Sequence, residues 1–212
     1  MDFLRGLFQQ YQNVTYIIPE MYICFAALYV LILSVVLKKW NERLIYYVCF
    51  LSSLLTLALI VMFQYNQNVE IFKQLFVVDS FSTMFKLLIV SSTAVVFLLS
   101  AGYKPLRHSV GEYCSLLLLA CAAMMFLVSS NDLLMIFLNM EFVGLTCFIL
   151  VGILKTDIRS SEAAVKYFLI GVFSSAVMLY GMSLIIGVTG LSNILEITRW
   201  IGDNNNAGSA SF

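Results

Sequence analysis

The chain has 212 residues, of which 61% are hydrophobic and 11% are charged. A soluble domain carries about 25% charged residues, so this composition excludes the solvated surface that a water-soluble fold needs. Twelve basic and twelve acidic residues cancel, which leaves no net positive field to attract nucleic acid. We therefore expect an all-α polytopic membrane protein that contacts membrane lipids and binds no nucleic acid.

Six apolar runs follow one another along the chain, and each is close to the 20 or so residues that a helix needs to cross a bilayer. Helices are expected because lipid offers no partner for open backbone groups, and because strand-like alternation is absent. The six predicted spans are 17–37, 44–63, 81–101, 113–128, 133–154 and 162–186. Together they form a single membrane domain over 1–212, in which 17–187 holds the transmembrane helices.

The segments around the spans have their own expected structures. Residues 1–16 lack a cleavable signal and have apolar residues at helical spacing, which predicts a short interfacial helix. The connection 64–76 is polar. Residues 188–212 are predicted to be a surface segment, amphipathic over 191–201, followed by a loose polar tail over 203–212.

Helix caps and loop charges give the orientation of the spans. Asp79 or Ser80 is expected to cap the third span, and Ser160 or Ser161 the sixth. The connections after the first, third and fifth spans are basic, so the positive-inside rule places them on the cytoplasmic or matrix side. The charges concerned are Lys38, Lys39, Arg43, Lys104, Arg107, Lys155 and Arg159.

Lys86 lies less than two turns into the third predicted span. A lysine at this depth can extend its ammonium to the membrane surface, which is the snorkelling interpretation. Alternatively, the lysine is part of a polar pathway through the protein. The sequence alone leaves both interpretations open.

Glu141 lies near the middle of the fifth predicted span, about 12–13 Å along the helix. A charge at this depth costs several kcal/mol unless it is paired or hydrated, so an intramembrane carboxylate is a functional candidate by default. Desolvation disfavours its charged form and a nearby ammonium favours it, so moving a lysine can switch its protonation. This makes Glu141 a candidate proton relay. The alternative is a structural glutamate that pairs with Lys86 or Lys166.

Lys166 lies about one turn into the sixth predicted span, four residues after Glu162. Snorkelling toward the basic loops explains its position. An i,i+4 helix pair with Glu162 explains it equally well, and such a pair contributes only about 0.2–0.5 kcal/mol.

Cofactor chemistry has no signature in the sequence. The five cysteines lie in apolar runs without a CxxC pair, so we expect buried thiols that act as small hydrophobic groups. The single histidine, His108, lies in a basic loop. There is no metal-ligand spacing and no glycine-rich phosphate loop, so we predict no metal and no cofactor.

Two segments resemble a known family. The residues are NDLLMIFLNMEFVGL at 131–145 and RSSEAAVKYFLIGVFSSAVMLYG at 159–181. They resemble NADH dehydrogenase subunit 2, a proton-pumping, antiporter-like subunit of respiratory complex I. The run SSEAAVKYFLIG at 160–171 is the most specific part, and the resemblance covers most of 17–195.

The resemblance implies roles for individual residues. Glu141 matches the key glutamate of the family's fifth helix, and Lys166 matches the lysine of its sixth helix. Lys86 is a more distant third candidate for the proton relay. The family's seventh and eighth helices carry the lysine that pairs with the glutamate, and this chain has no room for them. We therefore hypothesise a split subunit, in which a second chain supplies the remaining helices and the polar ending at 203–212 is a true terminus.

The resemblance also implies a setting. The chain is expected in the mitochondrial inner membrane, or alternatively in a bacterial plasma membrane, with other membrane-arm subunits of complex I as partners. It would be part of an NADH:ubiquinone reductase of the respiratory chain without carrying a redox site itself. Two alternatives remain, namely a structural scaffold that does not pump and a subunit of a multisubunit Na⁺/H⁺ antiporter.

Overall fold

The computed structural model describes residues 15–36, 42–72, 74–103 and 109–209. Seven helices and one antiparallel hairpin account for most of these residues. In chain order the elements are α1 Ile18–Val36, α2 Glu42–Gln64, β1 Val69–Ile71, β2 Phe76–Val78, α3 Ser80–Ser100, α4 Val110–Ser129, α5 Leu133–Val151, α6 Ile158–Thr189 and α7 Ile194–Ser209.

Helices α1 to α6 are long and apolar enough to cross a membrane, which confirms the predicted all-α fold with six transmembrane helices. The chain is therefore a multi-pass membrane protein. The predicted interfacial helix at 1–16 falls almost wholly outside the described residues. The division into 1–16, 17–187 and 188–212 stays a prediction.

The caps show how local chemistry sets the helix ends. Asp79 caps α3, as predicted, by accepting a hydrogen bond from the Ser82 N–H at 2.7 Å, and the Ser82 hydroxyl accepts one from the Asp79 N–H. The prediction for the sixth span was wrong. Asp157 caps α6 by accepting from the Arg159 N–H, so the helix begins earlier than Ser160.

Two segments differ from the sequence prediction. Between α2 and α3 the chain forms a hairpin that begins within the predicted connection 64–76, and in it Val69 pairs with Val78 and Ile71 with Phe76. Residues 203–209, predicted as part of a loose tail, continue α7. Asn193 starts this helix by accepting from the N–H groups of its second and third following residues, and Ile197 is buried.

Helices α1 to α4 enclose one continuous apolar core. Ile23 on α1, Cys49 on α2, Phe97 on α3 and Leu118 on α4 are all fully buried in it. Helix α5 packs against α4, and α6 packs against α5. In α5 only Asn139 and Thr146 are buried, and no residue of α6 is, so both helices keep wide apolar faces uncovered.

The contact between α1 and α4 depends on the absence of a side chain at Gly111. A Cβ atom at this position would overlap the Cβ and Oγ atoms of Ser34. Replacing Gly111 with alanine should therefore force α1 and α4 apart and destabilise the fold by about 1–3 kcal/mol, as overpacking does. Thermal unfolding of the detergent-solubilised protein measures the loss.

Two further variants make this measurement specific. Gly102→Ala is the matched control, because no heavy atom lies within 4 Å of its added Cβ. Ser34→Gly should restore stability to Gly111→Ala by removing the overlapping atoms. A Gly111→Ala protein as stable as the wild type would contradict the close approach.

Candidate charged sites

A buried ion pair joins the first and third helices. The Lys86 Nζ lies 2.6 Å from the Glu20 Oε1, and the two side chains are 0% and 3% exposed. Gln64, the last residue of α2, completes the group. Its Nε2 donates to both carboxylate oxygens of Glu20, at 3.0 and 3.2 Å, and its Oε1 accepts from Lys86 at 3.1 Å. We call Glu20, Gln64 and Lys86 the core triad.

The core triad also contacts the backbone at the start of the described chain. The Gln64 Nε2 also donates to the backbone oxygen of Tyr16 at 2.6 Å. The ammonium and the carboxylate cancel in charge, and the Gln64 amide hydrogen-bonds to both. Snorkelling of Lys86 is therefore wrong, because Glu20 and Gln64 satisfy the ammonium inside the core. A buried, hydrogen-bonded network of this kind rigidifies a core and favours one arrangement of its helices.

The side chain of Glu141, unlike those of the core triad, is not paired with another described residue. It lies eight residues after the start of α5, about 12 Å along the helix, and it is half-buried. No hydrogen bond or ion pair connects its side chain to any residue that the structure describes. The pairing with Lys86 or Lys166 considered from the sequence is therefore wrong for this chain, since both lysines have other partners.

Lys166 pairs with Glu162 across one helical turn, with 2.5 Å between the Nζ and the Oε1 atoms. Both side chains are more than half exposed, so this is the weak i,i+4 pair that the spacing allowed. An aromatic contact shows where Lys166 lies relative to α5. Tyr167, the next residue, packs edge-on against Phe148 of α5 with ring centroids 4.9 Å apart.

The contact between Tyr167 and Phe148 also shows that Lys166 and Glu141 lie at different levels along the two helices. Glu141 lies seven residues before Phe148 on α5, about 10 Å along the helix axis. Moreover, α6 has 32 residues, or about 48 Å, which exceeds a hydrocarbon core of about 30 Å. Lys166 therefore belongs to the end of α6 near the basic connections, whereas Glu141 lies deeper.

The third described lysine, Lys155, pairs with Glu112 at 3.4 Å on the exposed surface. Each of the three lysines that the structure describes thus has a carboxylate partner other than Glu141. Within the described ranges, no group of three or more His, Cys, Asp or Glu residues is placed to hold a metal ion.

Sequence reasoning missed Glu20 and Gln64 as parts of a site. The available signal was their position, because each is a polar residue at the end of an otherwise apolar span. Pairing between three helices distant in sequence could not be read from periodicity. The burial of Lys86 followed from that pairing and not from its depth in the span.

Known proteins are similar to this chain in both sequence and fold. A family model described as "NADH:quinone oxidoreductase/Mrp antiporter, TM" matches residues 130–212. The chain is 38% identical over 204 residues to the chloroplastic NAD(P)H-quinone oxidoreductase subunit 2 of Mesostigma viride, covering 94% of this chain and 40% of the relative. It is also 38% identical over 194 residues to NADH-quinone oxidoreductase subunit N of Chlorobium chlorochromatii, covering 88% and 37%.

The fold agrees with this. A chain of respiratory complex I from Thermus thermophilus, solved with bound aureothin, superposes with a TM-score of 0.69 and 23% identity, covering 82% of this chain and 38% of that one. The chain thus shares its membrane fold with a chain of a respiratory complex. The chain is homologous to subunit 2 of NAD(P)H-quinone oxidoreductase, or subunit N, and it spans about 40% of the length of the first of these relatives.

The core triad predicts how variants behave. Glu20→Gln alone leaves the Lys86 ammonium without a counter-charge, and Lys86→Met alone leaves the Glu20 carboxylate without one. Each single change should destabilise the protein by about 3–5 kcal/mol, because it strands a buried charge. The double variant Glu20→Gln, Lys86→Met removes both charges and should recover most of the loss. Thermal unfolding in detergent measures all three variants.

A control comes from the exposed pair on α6. The same single and double substitutions at Glu162 and Lys166 should change the free energy of unfolding by less than about 1 kcal/mol, because solvent already stabilises both charges. A double variant of the core triad no more stable than its worse single variant would show that the charges themselves are required.

Proposed function

We propose that this chain contributes to proton translocation in the membrane arm of an NADH-quinone oxidoreductase, with Glu141 as its protonatable relay group. The single observation that supports the proposal is that the described lysines are paired and Glu141 is not. Each described lysine is satisfied by a nearby carboxylate, whereas the deepest carboxylate of α5 has no partner in the described chain.

The chemistry of an unpartnered intramembrane carboxyl supports a relay. Desolvation favours its protonated form, and an approaching ammonium favours its charged form. The arrival or departure of one cation therefore drives proton release or uptake. A charge that is already paired and hydrogen-bonded, such as those of the core triad, is poorly suited to this switching.

The cation must come from beyond the described helices. Glu141 is the only charged residue of α5, and α6 has none from Tyr167 to Thr189. The uncovered apolar faces of both helices can contact lipid, whose hydrocarbon supplies no cation, or other helices, which can supply one. We propose that these helices belong to the part of the relatives' length that this chain does not span, carried on a second polypeptide or on a longer form of this one.

Lys166 takes a lesser place in this proposal. It is the second relay candidate by resemblance, yet its exposed pair with Glu162 gives it no contact with Glu141. Lys86 is the third candidate, and its enclosure in the core triad favours a structural part.

The mitochondrial inner membrane stays a proposal, because the relatives include chloroplast and bacterial proteins. A subunit of a Na⁺/H⁺ antiporter is the second candidate function, since the description of the matching family model includes the Mrp antiporter. The two functions differ in their ion requirement. Pumping by the oxidoreductase depends on NADH oxidation, whereas antiport depends on a sodium gradient.

Glu141→Gln is the direct test of the relay. Glutamine keeps the size of the side chain but cannot carry a proton as an acid. We expect normal assembly of the complex and proton translocation slowed by about tenfold or more, as for loss of a general acid–base group. The measurement is the acidification of membrane vesicles during NADH oxidation, with NADH oxidation rate recorded in parallel.

Two controls accompany this variant. Glu112→Gln removes an exposed carboxylate that pairs with Lys155 at the membrane surface and should pump normally. Glu141→Asp retains an acid and should pump faster than Glu141→Gln. Unchanged pumping in Glu141→Gln would favour the scaffold interpretation, in which the chain holds its neighbours without moving protons.

The missing helices are tested by purification. The native protein, extracted in mild detergent, should copurify with a polypeptide that carries the rest of the homologous subunit, or should itself have a mass above 23.9 kDa. Intact-mass spectrometry distinguishes these outcomes. A stable 23.9 kDa protein without any other membrane polypeptide would contradict the proposed completion.

A further inference from the structure

Three connections of the chain meet where α5 begins. They are the turn of the β1–β2 hairpin, the link between α4 and α5, and the link between α6 and α7. Polar groups join them into one unit, which we call the connection cluster. Its members are Gln74, Ser130, Asn131, Asp132, Ser192 and Asn193.

Backbone groups form the frame of the connection cluster. The Leu133 N–H donates to the Ser192 oxygen and the Ile194 N–H donates to the Asn131 oxygen, both at 2.9 Å. The side-chain amides of Asn131 and Asn193 each donate to the Gln74 backbone oxygen at 3.1 Å. The start of α5 is therefore bound both to the hairpin and to the segment that precedes α7.

Asp132 is the centre of the connection cluster. It is 5% exposed, and its Oδ1 caps α5 by accepting from the N–H groups of Leu134 and Met135 at 2.9 and 3.3 Å. Its Oδ2 accepts from the Ser192 hydroxyl at 2.5 Å. One carboxylate thus fixes the helix end and ties it to a segment 60 residues further along the chain.

A second contact acts along α5 itself. The Asn139 side-chain amide donates to the Ser130 hydroxyl at 3.1 Å and to the Met135 oxygen at 2.8 Å. Asn139 precedes Glu141 by two residues and is one of only two buried residues in α5, the other being Thr146. Helix α5 also packs against α4 and α6 through half-buried side chains, so the polar contacts at its first turns act together with that packing.

We propose that the connection cluster positions Glu141, with Asp132 and Ser192 as positioning residues. A slip of α5 by one residue moves a side chain by about 1.5 Å and turns it by about 100°. Either change would take Glu141 away from a counter-charge placed to meet it. The inference rests on the proposed relay function of Glu141, but the positioning itself can be measured separately.

The test combines Ser192→Ala with a conservative variant, Ser192→Thr. Alanine removes the hydroxyl that binds Asp132 and leaves the Asp132 cap on α5 intact, whereas threonine retains the hydroxyl. In the assembled complex in vesicles, Ser192→Ala should slow proton translocation by about tenfold, as misplacement of a reacting group does. Ser192→Thr should restore it. Ser91→Ala, which removes an exposed hydroxyl bonded only within α3, is the control and should pump normally.

The position of α5 is read independently at Cys147, a free, half-buried thiol six residues after Glu141. Its alkylation rate with N-ethylmaleimide, followed by mass spectrometry, should change severalfold in Ser192→Ala and stay unchanged in Ser192→Thr. In a Glu141→Gln background, Ser192→Ala should change alkylation equally but slow pumping no further.

The outcomes distinguish the positioning role of the connection cluster from the relay function of Glu141. Unchanged Cys147 alkylation in Ser192→Ala would overturn the positioning role, whatever the pumping rate. Additive slowing of pumping in the double variant would also overturn it, because the hydroxyl would then act independently of Glu141. If Glu141→Gln pumps normally, the relay proposal fails, while the alkylation rates still decide whether the cluster fixes α5.

Discussion

The ion pair between Glu20 and Lys86 is the constraint on which the four-helix core depends. An ammonium without a counter-charge in this interior would carry a desolvation cost of several kcal/mol. Glu20 cancels the charge, and Gln64 hydrogen-bonds to both groups. Because the three residues lie on three helices, the requirement to bring them together also sets how α1, α2 and α3 are placed.

The core and the α5–α6 pair are built on different principles. Helices α1 to α4 bury apolar side chains against each other, including the fully buried Phe97 and Leu118. Helix α5 is held mainly through α4 and through the polar contacts at its first residue, Leu133, and at its cap, Asp132. The core therefore has a self-sufficient arrangement, whereas the helix that carries Glu141 is fixed at one end and open along its face.

Much of the fold could be predicted from the sequence, because hydropathy reports directly on membrane crossing. The six spans were placed within a few residues of the observed helices, and the cap at Asp79 was among the two expected. The hairpin was missed because two three-residue strands are too short to show alternation. The helical course of 203–209 was missed because its polar composition is typical of a loose tail.

The site was predictable only in part, for a physical reason. The depth of Glu141 follows from counting residues along one helix, so a sequence suffices. The partner of Lys86 depends on how three helices pack, and no local pattern encodes that. Lys166 shows the intermediate case, since its i,i+4 spacing from Glu162 predicted the observed pair, while its level relative to Glu141 required the contact between Tyr167 and Phe148.

The closed charge balance of the core triad has a consequence for Glu141. Helix α4 packs against α3 and also against α5, so it stands in contact with the helices that carry both charged groups. A neutral ion pair presents a dipole, whose field weakens with distance faster than that of a single charge. Lys86 therefore cannot act on Glu141 as a free ammonium would, and its effect is largely cancelled by Glu20. In the relay proposed for Glu141, the counter-charge therefore comes from the groups that cover the open face of α5.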